Sequence, residues 1–159
     1  MKKDIRLYNV LFPIWFLFLF PQLWLFMLPI NFLVDSLVIL VSARFQKLEQ
    51  PGSVWKQGIV KVWLIGFFCD LLGAGLTVLL YFGWCALDVM GIPLFNPILF
   101  PGTTLLAIPG TLLAGVLIYR INKRFSFRKL DLDAAAIRRL CLHLAIFTAP
   151  YTMLIPLHG

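Results

Sequence analysis

MLPINFLVDS, residues 27–36, stands inside the most apolar part of the chain. It sets a proline, an asparagine, an aspartate and a serine where lipid tails favour leucine. Its surroundings explain why this matters. Of the 159 residues, 61% are hydrophobic and 13% are charged, and the mean hydropathy is +0.92. Soluble domains average roughly 45–50% apolar and about 25% charged residues. A chain this size cannot hide such an excess in a water-soluble core, so the fold expected is an all-α, polytopic helical bundle in a membrane.

Four apolar blocks carry that bundle: Val10–Val41, Val62–Trp84, Leu99–Tyr119 and Leu140–Leu157. A spanning helix needs about 20 apolar residues. The second and third blocks fit, and the fourth reaches that length when extended back to 134, behind Asp133 as N-cap. The first block is too long for one ordinary span and short for two. It also exceeds the about 7–15 residues of a signal-peptide core and contains Asp35, which favours its retention.

The basic residues choose among topologies. They fall in three clusters: Lys2, Lys3 and Arg6; Arg44, Lys47, Lys56 and Lys61; and Arg120, Lys123, Arg124, Arg128, Lys129, Arg138 and Arg139. Loops rich in Lys and Arg stay in the cytoplasm. One crossing by the first block with the N-terminus inside strands the last two clusters outside. The opposite orientation leaves the first cluster outside. A first block that enters and returns keeps all three inside, with the N-terminus cytoplasmic and the C-terminus across the membrane. Pro29 removes a backbone donor and Asn31 suits a turn. The preferred expectation is therefore a Pro-broken helical hairpin over 10–41, re-entrant or spanning, followed by three spanning helices over 62–84, 99–119 and 134–157. All belong to one transmembrane domain, and the only substantial solvated stretch expected is 122–133.

Two carboxylates fall inside these spans. Asp35 precedes Arg44, and Asp70 follows Lys61, by the same nine residues. Both therefore lie about 13 Å from the basic interface at helical rise. A charged aspartate near mid-membrane costs at least ~2.5–3.5 kcal/mol, so such residues are protonated, paired or functional. One reading is a proton or cation site at Asp35 and Asp70, lined by Asn31, Ser36 and Thr77. The plainer alternative is a pair of protonated side chains bonded to neighbouring helices. Gly66, Asp70, Gly73, Ala74 and Thr77 form a small, polar stripe suited to close helix contact.

The third block repeats PGTTLLA at 101–107 as PGTLLAG at 109–115. Pro109 and Gly110, like Pro29, are hinge candidates; the alternative is a tolerated kink in which Gly110 and Ala114 pack against a neighbour. Arg124, Arg128 and Lys129 are candidates for lipid headgroup contact, with Phe125 and Phe127 interleaved. His143 suits a relay, a headgroup contact or a hydrogen-bonded structural role.

Cys69, Cys85 and Cys141 are widely spaced, and Cys141 and His143 lie on different helix faces, so no metal or cofactor is expected. No nucleophile elbow, P-loop or metalloprotease motif is present, and no enzymatic activity is expected. Two functional classes follow. The first is a small transport-type protein with a site at the midplane carboxylates. The second is an accessory or scaffold subunit whose polar residues lock it to a larger membrane partner. A membrane enzyme acting on lipid-linked substrates is more distant and would need polar residues converging around His143 and Arg139. The expected partners are the bilayer and either further copies of the chain or a larger membrane protein; nucleic acid is not expected.

Overall fold

The computed structural model describes residues 21–90, 102–128, 130 and 132–154. Among them are four α-helices and one 3-10 turn, with no strand. Helix α1 runs Pro21–Phe45, α2 Pro51–Val89, α3 Gly102–Phe125 and α4 Ala134–Phe147, and the 3-10 turn is Tyr151–Leu154. Three segments are long and apolar enough to cross a membrane: Leu28–Phe45, Pro51–Leu87 and Thr104–Phe125.

Helix α2 opens on a proline, Pro51, whose fixed φ and missing N–H suit the first helical position. At α2 the Gln50 carbonyl accepts from Ser53 and Val54, at 3.1 and 3.3 Å. Asp133 occupies the N-cap of α4 and its carbonyl accepts from Ile137 at 3.1 Å, but its side chain makes no cap bond.

The hairpin tip expected at Pro29–Asn31 is not a turn. Helix α1 continues through both residues for 25 residues, about 37 Å. Within a helix Pro29 deletes one backbone bond, whereas a turn at that depth would strip several N–H and C=O groups of partners that lipid cannot replace. Trp63 of α2 pins the same level, its indole Nε1 donating to the Leu28 carbonyl at 3.0 Å. The Trp63 ring meets Phe32 edge-on at 6.0 Å. The first arm of the expected hairpin, up to residue 20, lies outside the described residues, as does the N-terminal basic cluster.

The other boundaries also move. Helix α2 has 39 residues, about 58 Å, so it outruns a hydrocarbon core of about 30 Å. The last block does not form one span over 134–157. Helix α4 stops after 14 residues, about 21 Å, where Thr148 caps it by donating from both its backbone N–H and its hydroxyl to the Leu144 carbonyl. Pro150 then bars continuation, and the 3-10 turn carries the chain on. Thr104 Oγ1 donates to the Leu154 carbonyl at 3.4 Å, placing that turn beside the start of α3.

The two connections α1–α2 and α3–α4 meet at one end, and there the main apolar core lies. Phe127 is wholly buried and rests on Gly58, where a Cβ would come within 2.9 Å of Phe127 Cε1. Val54, Ile59, Val62, Ile118, Leu140 and Leu144 complete this core, with Leu48, Leu130 and Leu132 packed against it. The stretch expected to be solvated is thus partly interior: Asn122 and Ser126 are also buried. Ser126 Oγ donates to Asn122 Oδ1 at 2.5 Å, and Asn122 Nδ2 donates to the Ile118 carbonyl at 2.9 Å. Every basic residue among those described belongs to the helix ends and loops of this same end.

Helix α1 closes in a Schellman motif, with Leu48 N–H donating to Ala43 at 3.1 Å and Lys47 N–H to Arg44 at 2.9 Å. Lys47 takes the left-handed conformation, φ 52°, that glycine usually supplies there. Lys47→Gly is expected to raise stability by about 1 kcal/mol, read from thermal or denaturant unfolding in detergent. Lys47→Ala removes the same charge but keeps the backbone penalty, so its stability should stay within ~0.5 kcal/mol of the parent.

Candidate functional site

The two carboxylates come together where α1 meets α2. Gly66 makes this possible: a Cβ there would lie 3.6 Å from Asp35 Oδ2, so the carboxyl rests against a helix face without a side chain. Asp70 follows Gly66 one turn later on α2. Asp35 is 5% exposed. Asp70 is half-buried, and its Oδ1 is shut off from solvent without a hydrogen-bond partner. Ser36, the next residue after Asp35, likewise buries a hydroxyl with no partner.

Buried polar atoms are nearly always hydrogen-bonded. The unpartnered Asp70 Oδ1, one turn from the Gly66 notch that receives Asp35, therefore marks this place as chemically unfinished. Protonation of one carboxyl, a water or a bound cation would each complete it. A buried charge also needs a compensating charge or a bonding partner. The pair can thus hold a shared proton or a single compensating cation more readily than two free negative charges.

The remaining candidates go elsewhere. Asn31 is half-buried one turn before Asp35 on α1, and no hydrogen bond among the described residues joins it to either carboxyl. Thr77 sits two turns beyond Asp70, where its hydroxyl donates to the Gly73 carbonyl at 3.1 Å. There it takes part in the crossing of α2 and α3. A Cβ on Gly110 would fall onto Thr77 Oγ1 and the Gly73 carbonyl oxygen. A Cβ on Gly73 would come within 2.5 Å of the Gly110 carbonyl oxygen and 2.9 Å of the Ala114 methyl.

Gly110 is therefore a clamp point between two backbones. Helix α3 runs unbroken through Pro109 and Gly110, and Pro109 is exposed. The close approach of Gly110 and Ala114 to Gly73 is contact of the kind the packing alternative names. Gly115, one turn past Thr111, faces α4, where its Cβ would meet the Ala145 carbonyl at 3.6 Å.

At the basic end Arg124 and Arg128 are exposed, while Lys129 lies outside the described residues. The Arg124 guanidinium lies over Phe125, 5.9 Å from the ring centroid. Phe127 belongs to the core and offers no surface to a partner.

One polar set escaped the sequence reading. His143 Nδ1 lies 2.6 Å from Ser42 Oγ, and Gln46 Nε2 donates to the same oxygen at 3.2 Å. Ser42 shares a helix face with Asp35, which is a weak signal; its partner is 101 residues away, and no local pattern announces it.

The clamp carries a clear test. Gly110→Ala should lower stability by about 1–3 kcal/mol, because an added methyl has only backbone and a buried hydroxyl to displace. Gly75 has open space around its Cα. Gly75→Ala should therefore be neutral or stabilising by up to ~1 kcal/mol, and equal unfolding midpoints for the two variants would refute the clamp.

Against known proteins, the chain matches no family model, no curated protein and no solved structure.

Proposed function

We propose that this chain is a small transport-type membrane protein in which Asp35 and Asp70 together engage a proton or a small cation. The observation that carries the reading is the Gly66 notch. It admits the Asp35 carboxyl to the surface of α2 one turn from Asp70, whose Oδ1 is buried and unpartnered. Intramembrane acidic residues mark ion pathways and proton relays more often than they serve packing. Ser36 Oγ adds a hydroxyl that can donate to a carboxylate or accept from a proton carrier. Thr77 and Asn31 are not needed for this site.

The basic end belongs on the cytoplasmic side, where Lys- and Arg-rich loops are retained. Both carboxyls then stand inward of that interface by about two to three helical turns. A bundle this small cannot surround a wide pathway by itself. Further copies, or a larger membrane protein, would complete it against the exposed apolar face of α2 that carries Leu64, Phe68, Leu71 and Leu79.

Reconstitution into phosphatidylethanolamine–phosphatidylglycerol vesicles with an internal pH dye tests the reading under imposed proton, sodium and potassium gradients. The parent should carry one of these ions. Asp35→Asn and Asp70→Asn should each lower the flux at least about tenfold, a loss of ~1.4 kcal/mol of interaction. The double variant should be no worse than the singles, since one shared site is lost either way. Unchanged flux in a folded double variant would overturn the site. No flux from the parent, with the variants instead losing a co-purifying partner, would favour the accessory-subunit role.

A further inference from the structure

A groove of about 480 Å³ runs between α1 and α4. Its walls are Leu37, Val41 and Phe45 from α1 and Phe147 from α4, and Ser42 and His143 also line it. Leu37 to Phe45 covers about 12 Å along the helix. That volume falls within the ~300–1,000 Å³ of ligand sites, and the pattern also fits one: mostly apolar walls with few placed polar groups. The α1 wall lies within the Leu28–Phe45 membrane-spanning segment, so the groove opens toward lipid.

The polar groups sit toward the basic end. Gln46 donates to Ser42 Oγ, and Ser42 Oγ and His143 Nδ1 share a second hydrogen bond whose direction is set by the imidazole tautomer. In the neutral tautomer whose Nδ1 accepts, Nε2 carries the proton and can donate to an oxygen in the groove. Arg139 precedes His143 by one turn of α4 toward the basic end and is exposed, as is Arg44 at the end of α1. Phe45 and Phe147 are 81% and 65% exposed, so two aromatic rings stand uncovered at the walls.

We propose that this groove binds one acyl chain of an anionic phospholipid, with the ester region at Ser42 and His143 and the phosphate near Arg139. The apolar walls match the chain, the imidazole N–H matches an ester or phosphate oxygen, and the arginine matches the headgroup charge. A second copy of this protein fits poorly here, because it would set arginine against arginine at the same end. The site is separate from the Asp35–Asp70 pair and also from the surface around Arg124 and Arg128. It makes α4, too short to span alone, one wall of a lipid-facing cleft.

Native mass spectrometry of the purified protein, titrated with dioleoyl-phosphatidylglycerol or dioleoyl-phosphatidylcholine, tests this. The parent should retain one phosphatidylglycerol in preference to phosphatidylcholine. Val41→Trp fills the groove from a lipid-facing position and should weaken retention about tenfold, while Leu64→Trp on the exposed face of α2 should leave it unchanged. Arg139→Gln should weaken phosphatidylglycerol about fivefold and phosphatidylcholine less, since the choline cation already offsets the phosphate charge. Parent-like binding in both Val41→Trp and Arg139→Gln, or equal affinity of the parent for the two lipids, would overturn the site. So would a lipid-free dimer that Val41→Trp converts to monomer.

Discussion

The contact between Gly73 and Gly110 is the constraint on which the rest of the bundle depends. Their backbones approach so closely that neither position has room for a methyl group. In lipid, apolar side chains gain little by leaving one apolar medium for another, so helix association rests on close packing and polar contact. Two glycines facing each other maximise that contact. They set α2 against α3, the broadest helix pairing in the molecule. With that crossing made, the far end of α3 delivers Phe127 onto Gly58, and Gly115 presents a flat surface to α4.

The polar groups follow a second rule. Several hydroxyl and amide side chains turn back on their own helix: Thr77 to Gly73, Thr111 to Ala107, Asn122 to Ile118 and Thr148 to Leu144. Such bonds satisfy the side chain without any partner helix. Asp70 Oδ1 and Ser36 Oγ depart from this rule, which is why their meeting place stands out. Ser42 and His143 depart in another way, by bonding between two helices distant in sequence. Among the described residues, Gln46 Oε1 and Trp55 Nε1 are also buried without partners, at the basic end.

Depth sorts these features. The close backbone crossing lies toward the end away from the basic loops, and the bulky core lies at the basic end. The carboxyl pair falls between them. Helix α1 is held against α2 by the packed core at the basic end and by the hydrogen bond from Trp63 to the Leu28 carbonyl.

Unbroken apolar runs of about 20 residues determined helices suited to lipid, because a helix bonds its polar backbone groups within the segment itself. Charge distribution placed both described basic connections at one end, and equal spacing from Arg44 and Lys61 put Asp35 and Asp70 at one depth. Helix rotation is what a sequence leaves free, and rotation decides contact. Only the tertiary structure turned Asp35 toward Gly66, turned Thr77 toward Gly110 and away from the carboxyls, and joined Ser42 to His143. Pro29 shows the same division. Locally it reads as a break, yet in a membrane a single missing bond is a smaller loss than the unbonded backbone of a turn, so the helix runs on.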